Sequence, residues 1–320
     1  MRREGSAWHG TSTVFAKELS EHVTSIRMRV LELLVVVIAI VVVWFAIRQI
    51  REVTAEDPFL FLRLFTRGQY VALDTLLGFL VPLVAVVLGF DLVNSEHNRR
   101  TLSRILSQPI YRDALLFGKF FAGLATIAIS LVMLWLLVIG LGLLLLGVPP
   151  SGEEMARAFI LLLVTIAYGG VWLALAMLCS IIFRSVATAA LVALGLWLFL
   201  TFLWPLLAQI MTTSTIGSAT SAGQLLESLG TRQALLRVSP GTLFDEVVSV
   251  LLDPSVRSQQ QRQLASLGLA MIERGAIPGA PLPLVQSLGI VWGQLVGLVA
   301  GTIVLFVAGY VIFQRQEVRA

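Results

Sequence analysis

Residues 91–119 read DLVNSEHNRRTLSRILSQPIYRDALLFGK, a dense cluster of charge in a 320-residue chain that is 57% hydrophobic and only 13% charged. Glu96, Arg99, Arg100, Arg104 and Arg112 are the groups there that could do chemistry, and that chemistry is recognition rather than bond-making. Guanidiniums pair with carboxylates in a fixed fork geometry. On a helix, Leu102, Ile105 and Leu106 form one apolar face while Arg99, Arg100 and Arg104 lie elsewhere on the turn, and Pro109 stops the helix. Such a short amphipathic helix can dock in a partner's groove or lie on a membrane. A plain topogenic loop needs only a few positive charges, so both readings stand on the residues alone.

The groups that covalent or metal chemistry would need are sparse. His9, His22 and His97 lie outside the long apolar runs, and the single cysteine, Cys179, lies inside one. The sequence has no HExxH, no clustered Cys/His set and no GxSxG, so a metal centre or a serine nucleophile is not expected. Gly118-Lys119 lacks the earlier glycine of a phosphate loop and is followed by Phe120, so no bound nucleotide or other cofactor is expected in this chain. No acidic residue falls well inside an apolar run, which argues against an ion-coupled carrier. The 23 basic residues are spread over loops, which argues against nucleic acid as a partner.

The elements that must hold the charged stretch are long apolar runs, each near the roughly 20 residues that a membrane-crossing helix needs. The reading is an all-α integral membrane protein with six transmembrane helices, at about 30–47, 72–90, 119–149, 157–182, 186–210 and 285–313. The second is the shortest, with Asp74 and Asp91 marking its ends. Residues 1–29 contain an amphipathic N-terminal helix for the membrane interface, in which Phe15, Leu19, Val23, Ile26 and Val30 recur at helical spacing.

Six spans put both termini on one side. The N-terminus, the 91–119 loop, the turn at Arg184 and the C-terminus together hold 13 basic residues against 8 acidic ones; the other side holds 10 and 11. The positive-inside rule then places both termini and the 91–119 loop in the cytoplasm.

Residues 212–284, between spans five and six, form an extracytoplasmic helical segment, either a cap over an exit path or a surface-lying connector. Thr242 to Asp245 has capping-box spacing before VVSVLL, and Asp253-Pro254 ends that piece. Gly289, Gly293, Gly297 and Gly301 fall four apart on the sixth span, a ridge for helix packing within the subunit or in a dimer, with Gln286 and Gln294 able to hydrogen-bond across it.

The 91–119 stretch resembles the signature of type-2 ABC transporter permeases, the membrane subunits of one class of ATP-driven exporter. The residues that carry the likeness are Glu96, Thr101, Leu102, Leu106, Pro109, Arg112 and Lys119, with Arg100 standing where that family usually has glycine. The closing GYVIFQRQEV resembles the family's cytoplasmic tail.

The resemblance implies one transmembrane permease domain over 1–320. It also implies that residues Glu96, Arg99, Arg100, Thr101, Leu102, Arg104, Ile105, Leu106, Pro109 and Arg112 form a cytoplasmic coupling helix against a separate ATPase subunit, which would bind ATP and Mg. A second permease subunit, identical or related, would complete the complex in the cell (inner) membrane. Two alternatives remain: an ABC-type complex that passes motion to an extracytoplasmic protein without transport, and an ion-coupled secondary transporter.

Overall fold

The computed structural model describes residues 7–52, 59, 61–66, 72–94, 112–147, 149–216, 222–252 and 282–315, and among these there is no strand. In chain order the helices are α1 (Ala7–Thr24), α2 (Ile26–Glu52), α3 (Arg63–Thr66), α4 (Leu73–Gly89), α5 (Arg112–Leu146), α6 (Gly152–Ile182), α7 (Val186–Leu198), α8 (Trp204–Ile216), α9 (Ala222–Leu236), α10 (Pro240–Leu252) and α11 (Leu284–Arg315). A π-turn at Phe199–Leu203 joins α7 to α8, immediately before Pro205, whose missing N–H cannot continue a regular ladder.

Five described stretches are long and apolar enough to cross a membrane: Met28–Arg48, Asp113–Leu146, Gly152–Ile182, Val186–Thr213 and Leu284–Arg315. The sixth expected span is α4, an apolar helix of 17 residues. At 1.5 Å per residue it is about 26 Å long, a little short of a roughly 30 Å hydrocarbon core.

Helix α6 is the centre of the bundle, buried along nearly its whole length, whereas α2, α5, α7–α8 and α11 each keep an exposed apolar face. The cause is its run of small residues. A Cβ on Gly169 would stand 3.1 Å from Ile127 and 3.2 Å from Val81, so α4 and α5 meet α6 closely at this one level. The start of α6 is fixed by a capping box: Ser151 Oγ accepts from Glu154 N–H, and the Glu154 carboxylate accepts from Ser151 N–H. Ahead of it, Gly147 at φ 72° closes α5 in the left-handed conformation that glycine adopts without strain.

Helix α1 differs from the expected amphipathic helix in the face it uses. Val14 and Glu18 are buried against α5, while Val23, Ile26 and Val30 point outward. The helix also breaks at Ser25, whose Oγ accepts from Met28 N–H and so caps α2. The sequence reading kept carboxylates from lying well inside the spans; Glu32, near the start of the first, accepts from the Ser130 hydroxyl at 2.8 Å. Ser130 is at the middle of α5, one turn after the Ile127 that meets Gly169 at the middle of α6. Glu32 is the fifth residue of the stretch Met28–Arg48, one turn inside the charged start of α2.

Helix α10 begins at Pro240, with proline in the first position where its fixed φ is pre-organised. Thr242 and Asp245 therefore sit inside the first turns instead of capping them, and the expected stop at Asp253-Pro254 lies outside the described residues. The helix is wedged among α3, α4, α6 and α11 rather than laid over them. Phe244 is fully buried and stacks on Tyr168 at 4.4 Å, and the Tyr168 hydroxyl donates to Gly78 O on α4.

Two buried charges fasten α10. Glu246 accepts from Arg237 Nε at 3.1 Å and from the amides of Gln233 and Gln294. Arg157 on α6 is wholly buried; it pairs with Glu153 and donates to Leu251 O, Ser287 Oγ and Leu282 O, so one guanidinium ties α6, α10 and the start of α11 together. The segment at about Ser255–Arg274, expected to be helical, lies outside the described residues.

Candidate functional site

Nine of the ten proposed contact residues, Glu96, Arg99, Arg100, Thr101, Leu102, Arg104, Ile105, Leu106 and Pro109, lie outside the described residues. The tenth, Arg112, opens α5, and its side chain is outside them too. What the structure does describe is how both ends of the 95–111 segment are held.

Upstream, α4 ends at Gly89 and the chain turns through residues 90–94, with Leu92, Val93 and Asn94 buried. The backbone N–H groups of Val93 and Asn94 both donate to Ser180 Oγ, at 3.0 and 3.2 Å, and the Asn94 amide donates to Phe183 O at 3.4 Å. The chain just ahead of the segment is thus tied to the end of the central helix.

Downstream, Asp113 in the first turn of α5 accepts from the Tyr310 hydroxyl at 3.0 Å and from the Gln314 amide. Phe117 and Phe120 each lie 4.9 Å from Phe306, so the end of α11 is packed on the start of α5. One turn on, Lys119 Nζ donates to Glu18 Oε1 at 2.9 Å; both side chains are buried, at 4% and 7% exposure. Lys17 reaches the same oxygen at 3.1 Å from a half-exposed position.

Burial pushes the Glu18 carboxyl up, but the charge and hydrogen bond of Lys119, with those of Lys17, outweigh it and hold the group below the usual carboxylate range. Gly118 makes this pairing possible. A Cβ there would stand 2.7 Å from Val14 Cγ1 and 3.1 Å from Thr11 O, so only glycine lets α1 lie against α5.

Among the described residues there is no cluster of His, Cys, Asp or Glu that could hold a metal ion. What these contacts can do is mechanical. The segment is held at one end by α6 and at the other by α5 locked to α1 and α11, so a push on it reaches four helices through short, directional contacts.

The sequence profile described as ABC-2 family transporter protein matches residues 12–318. The chain belongs to the ABC-2 family. It is also 28% identical over 200 residues to NosY of Pseudomonas aeruginosa strain PAO1, described as a probable ABC transporter permease protein; the match covers 61% of this chain and 68% of that one. This ABC-2 protein is therefore a permease subunit of an ABC transporter, a multi-pass membrane component whose family implies an ATPase partner.

In the ABC-2 chain the glycine ridge divides. Gly297 faces Leu243 of α10, where a Cβ would stand 3.1 Å from its Cδ1, and Gly301 faces Val171 of α6. Gly289 and Gly293 have nothing within 4 Å of a built Cβ and lie open on the surface. Gln294 bonds Glu246 inside the subunit.

Sequence reasoning missed Glu18, Asn94, Asp113, Ser180, Tyr310 and Gln314. A signal existed for one pair: Lys119 stands alone at the head of an apolar run, and a charge so placed needs a partner. No comparable cue pointed to Ser180, one hydroxyl among many.

Proposed function

We propose that this permease subunit couples ATP hydrolysis, carried out with Mg by a separate ATPase subunit, to movement of a substrate out of the cell. The observation that carries this reading is the double anchorage of the 95–111 segment, to Ser180 upstream and to the Asp113, Lys119 and Glu18 contacts downstream. A coupling helix has to be joined rigidly to the spans at both ends if closing and opening of the ATPase are to move them as bodies. Glu96, Arg99, Arg100, Thr101, Leu102, Arg104, Ile105, Leu106, Pro109 and Arg112 form the docking surface in this reading, apolar residues in the groove and guanidiniums against acidic groups on the ATPase.

The rest of the assignment follows the same logic. The chain is one permease domain with α4 as a sixth span, both termini are cytoplasmic in the inner membrane, and the outward face of α1 rests at the membrane interface. A second permease subunit packs in the complex, with Gly289 and Gly293 on the candidate contact. Residues 212–284 face the far side.

Charge reversal of Arg104 and Arg112 to Glu in the reconstituted complex tests the reading. The expected result is a folded permease whose transport is lost while ATPase activity no longer responds to it. Coupling at the wild-type level would refute the docking assignment.

A further inference from the structure

A partly open cavity of about 130 Å³ lies between α2, α4 and α5. Its walls are Val35, Leu77, Leu80, Val84, Leu134 and similar apolar side chains, and its polar groups are Glu32 and Ser130. The Ser130 hydroxyl has a single proton and two acceptors in reach, Glu32 Oε1 at 2.8 Å and Thr126 O at 3.0 Å. Glu32 therefore brings a carboxylate with acceptor capacity left over into an otherwise oily chamber.

We infer that this chamber is a binding site for small hydrophobic cations, molecules with one primary ammonium group on a compact aryl or alkyl body. The argument rests on complementarity of charge and size. An ammonium offers three donors and the opposite charge, and their attraction is strong where water is scarce. An apolar body fits walls that offer it only dispersion contacts. The volume is near the roughly 150 Å³ that accepts a benzene-sized guest, so a single ring or a short chain fills it. An ionisable side chain on a membrane-spanning helix marks a functional site by default, and among the described residues Glu32 has no cation paired with it. A neutral or anionic guest of the same shape leaves that carboxylate unpaired.

The test needs neither nucleotide nor an ATPase subunit, so its outcome is separate from that of the coupling reading. The full chain in lipid nanodiscs is titrated with a fluorinated benzylammonium ion and with the matching benzyl alcohol, followed by fluorine NMR, with empty nanodiscs as the blank. The ammonium is expected to bind saturably above the blank. Glu32→Gln should weaken it by about tenfold or more, the loss of roughly one ion pair, and leave the alcohol unaffected. Leu134→Trp, which fills the chamber, should abolish both. Ser130→Ala keeps the carboxylate and should bind the ammonium at least as well as wild type, which holds the test open if Glu32→Gln does not fold. Signal equal to the blank, indifference to Glu32→Gln, or loss of the ammonium in Ser130→Ala would each overturn the inference.

Discussion

The Glu18–Lys119 pair shows how much a single contact can carry in a bundle of this kind. Both groups are buried, so removing one takes from the other its nearest opposite charge, although Lys17 still reaches Glu18. Lys119→Ala is expected to destabilise the chain by less than the about 3–5 kcal/mol of a wholly uncompensated buried charge, and Glu18→Leu with Lys119→Met to recover most of that loss, because breaking a buried pair costs more than replacing it whole. Thermal unfolding in detergent checks both. The pH dependence has a definite sign. The folded carboxyl titrates below its ordinary value of 4.5, so its stabilisation is complete above that value and is lost as the pH falls through the depressed one. Acidification through that window should lower the Tm of the wild type more than that of the double variant. At the opposite end of the bundle, Arg157→Met should detach α10 and α11 from α6 and lower the Tm strongly, whereas Ser287→Ala removes one of its hydrogen bonds and should cost only about 1 kcal/mol.

Among the elements, α1 and α11 each use one face inside the subunit and leave another open. Gly118→Val should drive α1 off α5 and expose it to limited proteolysis, and Val14→Ala should not restore the protection, because the Cβ of residue 14 and Thr11 O remain in the way. On α11, Gly297→Leu is expected to lower the Tm by collision with Leu243, while Gly293→Leu leaves the Tm of the isolated subunit unchanged and weakens the proposed association with a second permease. These cases also mark what could be read in advance. Long apolar runs and the Pro149-Pro150 break are local and were legible as helices and their ends. The face that α1 buries was not, because the periodic apolar residues of an interfacial helix point to lipid while Val14, Glu18 and Gly118 meet protein. Nor was α10 legible as an inserted wedge: Glu246 looks like a surface charge until Arg237, Gln233 and Gln294, from two different helices, are brought to it by the fold.

On the scale of the whole molecule, α5 runs 35 residues, about 52 Å at 1.5 Å per residue, well beyond the thickness of a hydrocarbon core. Its first two turns are held by Asp113 and Lys119, and its last turn ends at the left-handed Gly147. A rod of that length pivoting at its held end is a lever. A tilt of about 10° displaces the far end, where Gly142 packs on Phe61 and Leu64, by roughly 9 Å while the pivot scarcely moves. Small strokes delivered next to Arg112 would therefore leave as large ones at the far end of α5. Paired spin labels at Leu144, an exposed position near the arm's tip, should report larger distance changes across the proposed pair of permeases during the nucleotide cycle than labels at Phe117 near the pivot.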